Sequence, residues 1–376
     1  MFNIRKMLVM GTFGFASGLP YILIFSTLSA WLRDVGISLS LIGFFSWIAL
    51  TYSLKFLWAP FVDRFSVPIL NRYGRRKSWI ILTQLIIIFC IFTLSSINPI
   101  NSLSFFIFIA FLIAFSGSIQ DIAIDAFRIE YADISDQGNL AAAYQFGYRL
   151  AILAATSLAL ILADNYGWSA SYEVMGLLML TGLIGVVISK KENINTQLEI
   201  LNFKDSFIKP IKDFGSRYGF YLASLLLLIV ATYRLTDIVM GPMANPFYLD
   251  MGYSLTEIGS VVKIVALIAS VIGVFLGGIL IKKIGLYYSL LTGAFLVMMT
   301  NACFSYVAIS QEEYILLGSI KMPLKLSLIV GLDSIAAGIV GTVNITFLTS
   351  MVSKKYTAVQ YALLTSFMML PGKFFG

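Results

Sequence analysis

The sequence predicts an all-α membrane protein built as two parallel-repeat helix bundles joined by a charged linker. Three observations carry this reading. First, the 376 residues are 59% hydrophobic and only 12% charged, with a mean hydropathy of +0.89. An ordinary soluble chain is about half apolar and a quarter charged. Second, apolar stretches long enough to cross the roughly 30 Å of a bilayer core recur from end to end. Third, the stretch Asp34–Ile48 aligns without a gap with Asp250–Ile264 at an offset of 216. Identical pairs are Asp34/Asp250, Gly36/Gly252, Ser38/Ser254, Leu39/Leu255, Ile42/Ile258, Gly43/Gly259 and Ile48/Ile264. Ordinary composition would give about one match in such a window. Both copies are short polar turns between long apolar runs. The second half therefore repeats the first in the same orientation, and rotation about the membrane normal should relate them.

Taken in order, spans are expected near 7–31, 41–62, 79–98, 103–126, 139–163 and 170–189 in a first bundle over residues 1–189. A cytoplasmic linker follows at 190–217, rich in Lys and Arg. Spans near 218–248, 257–280, 287–309, 325–350 and 357–376 then make up a second bundle over 218–376. Arg5 and Lys6 precede an apolar run too long for a signal-peptide core, so the first stretch is read as a span. Cys90 and Cys303 fall inside apolar helices without metal or redox spacing, and are expected to be small buried apolar residues. Adding the repeat offset to the sixth span places its counterpart at 386–405, beyond Gly376. The expectation is an eleven-span bundle pair lacking its twelfth helix, which would insert but transport poorly or not at all, as a truncated inactive paralogue would.

Basic residues fix the expected orientation. Of the 26 Lys and Arg, 18 fall on the N-terminal segment and alternate loops, three on the opposite loops and five within spans. The positive-inside rule then puts the N-terminus in the cytoplasm. This bias also accounts for the net charge of +7. Nucleic-acid binding would need a basic domain facing water, and none is expected.

An ionisable side chain near the bilayer centre costs about 2.5–3.5 kcal/mol, so each one needs a reason. Arg149 sits about ten residues into the fifth span and shares a helical face with Gln145 and Tyr148. The three are candidate substrate-binding residues, with an interhelical structural pair as the competing role for Arg149. Arg234 and Asp237 lie three apart in the seventh span, either as a self-neutralising pair or as substrate-binding Arg234 and proton-coupling Asp237. Asp121 and Asp125 lie one turn apart on the fourth span. Repulsion between neighbouring carboxylates raises one pKa, so they are candidate proton acceptors; a structural bridge to Arg128 or Lys55 is the alternative. Lys55, in the second span, is a further candidate for substrate binding. The chain has no histidine, so a proton relay would use carboxylates, Tyr or water. Both signs of charge occur among these candidates, and guanidinium groups suit carboxylate or phosphate ligands.

The loop after the second span reads Asp63-Arg64, nine residues, then Gly74-Arg75-Arg76-Lys77. It resembles a gating signature of major facilitator carriers, with Asp63, Arg64, Gly74, Arg75 and Arg76 as the candidate gate. An acid that pairs with a base or a helix end in one state and releases it in the other suits a gate. Further strings are Gly18-Leu19-Pro20, Tyr52-Ser-Leu-Lys55-Phe-Leu-Trp-Ala-Pro60 and Gln120-Asp121-Ile-Ala-Ile-Asp125-Ala. With them go Tyr144-Gln145-Phe-Gly-Tyr-Arg149-Leu, Tyr233-Arg234-Leu-Thr-Asp237 and Gln360-Tyr361-Ala-Leu-Leu. Together these are similar to the muropeptide permease (AmpG) family of the major facilitator superfamily; acetyl-coenzyme A transporters share parts of them. The resemblance implies a major facilitator fold and a proton-driven importer of anhydromuropeptides in a bacterial inner membrane. It implies a small glycopeptide substrate, protons and membrane lipid as partners, a monomer, no metal and no cofactor beyond the proton gradient. A facilitator for another anionic substrate, such as an acyl-coenzyme A, is the alternative. A membrane-embedded transferase or hydrolase would need a metal or nucleophile constellation, and the chain offers no such motif. An enzyme is not expected.

Overall fold

The computed structural model describes residues 4–38, 40–42, 46–190, 203–236, 247–248, 250–253, 264–309, 314–317 and 320–375. Among these, seven continuous helices are long and apolar enough to cross a membrane. The first span is Ile4–Asp34, the third Arg75–Ser95 and the fourth Leu103–Tyr131. The continuous run Ile134–Ile188 leaves helical geometry at Gly167, and so holds the expected fifth and sixth spans. The helix Phe203–Thr232 breaks at Gly219, which separates a linker helix from the seventh span. The helix Ala266–Ile309 breaks at Gly285, between the expected eighth and ninth spans. Leu324–Met351 and Thr357–Phe375 are the tenth and eleventh. A short antiparallel ribbon, Tyr314–Leu317 with Ile320–Pro323, precedes the tenth span and has no counterpart in the sequence reading.

The repeat is visible in the backbone. Gly36 and Gly252, one offset apart, both take positive φ, +88° and +85°. In the first copy Val35 N–H donates to Trp31 O and Ile37 N–H to Leu32 O; in the second, Met251 donates to Phe247 O and Tyr253 to Tyr248 O. The paired bonds sit at the same offset of 216. A left-handed glycine followed by a bond back across five residues is a helix C-cap that closes otherwise orphaned carbonyls. The remainder of the second copy, from Ser254 through Lys263, lies outside the described residues.

Three spans of the first bundle depart from simple helices. The second, expected as one helix over 41–62, is instead Leu50–Ser53, a 3-10 turn Lys55–Leu57 and Ala59–Arg64. Pro60 explains the break: it has no N–H to return to the preceding turn and its ring crowds that turn's carbonyls. The first and fifth spans each carry a π-turn, Leu23–Thr27 and Ala154–Leu158. The two turns meet where the Thr27 hydroxyl donates to Ala155 O.

The chain forms two compact units. The first comprises Met1–Asp133, Phe146–Ala223 and Val352–Ser366; the second comprises Ile134–Gln145, Ser224–Met351 and Phe367–Gly376. The units thus follow the two halves of the sequence with short segments exchanged, and the linker helix belongs to the first. The first unit's core gathers Leu19, Leu23, Trp31, Ile87, Phe106, Ile113, Ala155 and Tyr172, with Trp31 stacked on Trp168 at 5.7 Å. Large apolar side chains such as Phe89 and Val187 stand on its outer surface, as lipid-facing residues do. Cys90 is buried as expected, whereas Cys303 is exposed; on a surface that meets hydrocarbon, an outward-facing thiol carries no desolvation cost.

In the second unit the helices on either side of Gly273 and Gly338 approach to backbone contact. A Cβ on Gly338 would press on Ser270 O and lie 2.8 Å from Val274 N. Small residues at such crossings let apolar helices pack without a hydrophobic driving force. Gly338→Leu is therefore expected to lower stability by about 1–3 kcal/mol, the usual cost of overpacking. Gly215→Ala, where a Cβ meets open space, should be close to neutral. Thermal unfolding of the solubilised protein compares the two.

Candidate functional site

Two polar clusters lie in the first unit, both built on the fourth span. The one nearer its middle contains Asp121 and Asp125, one turn apart. The broken second span turns Lys55 inward, and its ammonium lies 3.9 Å from a carboxylate oxygen of each acid. Lys55 and Asp125 are buried and Asp121 is nearly so. Ser17 of the first span, itself buried, donates its hydroxyl to Asp121. Arg128, three residues beyond Asp125, is fully buried and lies 3.5 Å from it. Aromatic rings adjoin the cluster: Tyr21, Phe25 and Tyr52 meet edge to face at 4.9 to 5.9 Å. The bridge that was the alternative reading of the acids is present, to Lys55 and Arg128 together.

The second cluster is at the end of the unit that carries the basic loop. Gly74, at φ +114°, turns the chain into the third span. Arg76, the first helical turn's second residue, is fully buried. Its guanidinium donates to Asp63 Oδ1 at 2.5 Å, Glu130 Oε1 at 2.7 Å, Val62 O at 2.7 Å and the Thr357 hydroxyl at 2.7 Å. Arg75 donates to Asp63 O at 2.8 Å and approaches Glu130 at 3.4 Å. Asp63 in turn accepts the backbone N–H groups of Ala358 at 3.1 Å and Val359 at 2.9 Å. Those belong to the first turn of the eleventh helix, whose initial N–H groups have no partner within the helix. A carboxylate there also meets the positive end of the helix dipole.

The remaining candidates are dispersed. Arg64 stacks over Phe65 at 5.1 Å and stands outside the Arg76 network. Lys77 reaches Ser189 O at 3.3 Å, and Arg5 reaches Ile188 O at 2.8 Å, so both cap the C-terminal end of the sixth span. Arg149 and Tyr148 are half-buried on the fifth span in the first unit, with Tyr148 over Gly18. Gln145, on the same helix, is half-buried and belongs to the second unit, beside Gly341. Arg234 is half-buried in a two-residue turn just past Thr232, before helical residues 235 and 236. Asp237, and with it the Arg234–Asp237 pair, lies outside the described residues.

Several participants escaped the sequence reading. Glu130 drew no attention in the sequence; only the position of Arg76 gives it a role. Thr357-Ala-Val-Gln360 has the spacing of a capping box, but its side chains are used elsewhere. Thr357 donates to Glu130. The Gln360 amide donates to Pro210 O and Asp213, both at 2.9 Å, and accepts from Arg217 at 3.0 Å and Ser353 N–H at 2.7 Å. All four of its hydrogen-bonding positions are filled, and the amide ties the linker helix to the start of the eleventh.

Comparison with known proteins bears on what such clusters serve. The Major Facilitator Superfamily profile matches residues 5–376. The chain belongs to the Major Facilitator Superfamily. Within that superfamily it is 33% identical to the putative transporter AmpG 4 of Rickettsia conorii over 94% of this chain and 84% of the relative. It is 31% identical to the anhydromuropeptide permease of Escherichia coli K12, over 94% of this chain and 69% of that protein. Among solved structures, the proton:xylose symporter XylE bound to a bromodeoxyglucose superposes with a TM-score of 0.66 at 16% identity, over 99% of this chain and 87% of that one. That likeness concerns the fold. This major facilitator protein is a multi-pass membrane transporter and not an enzyme.

The Asp63 contacts predict a local effect. Asp63→Ala should speed amide hydrogen exchange in a peptide spanning 352–362, because Ala358 and Val359 lose their acceptor, whereas Arg64→Ala should leave it unchanged. Exchange measured by mass spectrometry separates the two.

Proposed function

We propose that this transporter is a proton-coupled importer of anhydromuropeptides across a bacterial inner membrane, with its N-terminus in the cytoplasm, working by alternating access. The observation that carries the reading is the buried row Asp121–Lys55–Asp125–Arg128. Two carboxylates and two cations this close are poised to redistribute when a proton arrives. The AmpG-named relatives supply the substrate class. Asp121, held by Ser17 and Lys55, is the first acceptor. A proton there releases Lys55 to Asp125 alone. Arg149, with Tyr148 on the same helix, supplies a cation for a substrate carboxylate, and Arg234 and Gln145 are further candidates in the second unit. Tyr21, Phe25 and Tyr52 offer ring edges to a sugar. Asp63, Arg76 and Glu130 hold the start of the eleventh helix in one state and release it in the other.

Uptake of labelled anhydromuropeptide into vesicles, with and without an imposed proton gradient, tests this reading. Accumulation should require the gradient. Arg149→Ala should abolish uptake at normal membrane abundance; activity falling only in proportion to abundance would make Arg149 structural. Asp121→Asn should remove gradient-driven accumulation yet spare exchange of substrate down its own gradient, because the amide imitates the protonated acid. Undiminished accumulation by that variant would exclude Asp121 as the coupling site.

A further inference from the structure

The two clusters of the first unit are joined by one residue. Asp121, Asp125 and Arg128 recur at i, i+4 and i+7, on one face of the fourth span. Lys55 bridges the two acids at 3.9 Å each, and Arg128 reaches Asp125 at 3.5 Å. The other side of the Arg128 guanidinium lies over the ring of Tyr361, 5.3 Å from its centroid. Tyr361 is buried, one turn along the helix from Thr357. The first turn of that helix is the part held by Asp63, Arg76 and Glu130. The row of charges therefore ends on the helix that the gate holds.

We propose that Arg128 is a positioning residue that couples the protonation of the Asp121–Asp125 pair to the seating of the eleventh helix. The inference rests on the proton-coupled reading above. The groups facing the pair are Lys55 from the second span, Ser17 and Tyr21 from the first, and Tyr52 beside Asp121. Arg128 approaches from the acids' own helix and Tyr361 from the eleventh. With both acids ionised the row holds two negative and two positive charges. One proton leaves Lys55 and Arg128 sharing a single carboxylate. Two buried cations left to one carboxylate are under-compensated, and as Lys55 is drawn onto Asp125, Arg128 shifts toward other acceptors. The ring it packs on then loses its support, and the first turns of the eleventh helix loosen.

The test reads the seating directly. Val359 is buried in the held turn. In the full chain, Val359→Cys is introduced with Cys303→Ser, Cys90 being buried, and the protein is placed in lipid nanodiscs. Labelling by a water-soluble maleimide is timed at mildly acidic and mildly alkaline pH, and each rate is divided by that of the denatured protein at the same pH, because the reactive thiolate itself declines in acid; this normalised rate is the labelling compared below. Acidification should raise it roughly five- to 150-fold, the usual range of coupling between two sites. Arg128→Gln and Tyr361→Leu should each flatten that ratio, Arg128→Lys should restore part of it, and Tyr361→Phe, which keeps the ring but not the hydroxyl bonded to Arg128, should preserve most of it. If Arg128→Gln does not fold, Tyr361→Leu decides alone. A parent whose labelling ignores pH would overturn the proton-coupled reading and this inference with it. A parent that responds, with the same ratio in Arg128→Gln or Tyr361→Leu, would overturn this inference alone, whatever the change in absolute rate.

Discussion

A guanidinium shut away from water must be met by acceptors, and at Arg76 that requirement organises one end of the first unit. Its donors collect Val62 O, Asp63, Glu130 and the Thr357 hydroxyl, which belong to three different helices besides its own. Two carboxylates around one cation leave a formal surplus of negative charge. Arg75 and the N-terminal dipole of the eleventh helix absorb it, the latter through two backbone N–H groups on Asp63. Truncating one partner of such a buried set costs about 3–5 kcal/mol, because the rest is left uncompensated. This explains why Val352–Ser366, so late in the sequence, belongs to the first unit.

The Gly-Arg-Arg-Lys run shows how finely this constraint divides labour. Gly74 supplies the turn, Arg75 steadies the Asp63 backbone and Arg76 fills the buried junction. Lys77 faces away and caps the sixth span. Four adjacent residues of similar composition thus serve four separate ends, because successive positions on a helix point about 100° apart. The eleventh helix answers in kind: Ala358 and Val359 present N–H groups to Asp63, Gln360 holds the linker helix and Tyr361 backs Arg128.

Much of the fold was legible because it follows from hydropathy and from the repeat. The span limits fall where glycines 167, 219 and 285 leave helical geometry, and the Gly36/Gly252 identity corresponds to one shared C-cap. Local chemistry was harder to read where proline acted at a distance from its own position. Pro60 stood in a quoted string, yet the tightened turn at Lys55 is what carries the lysine to the acids. The Arg76 network was half legible: Asp63, Gly74, Arg75 and Arg76 stand out by sequence spacing, whereas Glu130 and Thr357 are joined to them only by folding. Arg64 shared the motif and not the network, because its side chain leaves the helix end toward Phe65. No local pattern signals that an acid at residue 130 and a threonine at residue 357 meet one arginine.

The energetics of the Asp121–Lys55–Asp125–Arg128 row indicate what it contributes. Four charges among apolar helices are not an economical route to stability, since a buried ion pair replaced by well-packed apolar residues is often equally or more stable. Pairing only offsets most of the cost of placing charge away from water. What the row adds is sensitivity. It is neutral as a set and unbalanced in any odd subset, so a single proton changes which partners each cation can keep. An apolar substitute would have no such dependence, and a single isolated pair would have nowhere to pass the imbalance. In the proposed mechanism Lys55 bridges the acids from the second span and Arg128 continues the row on the acids' own helix, so an imbalance created at Asp121 passes along one face of the fourth span toward Tyr361 of the eleventh.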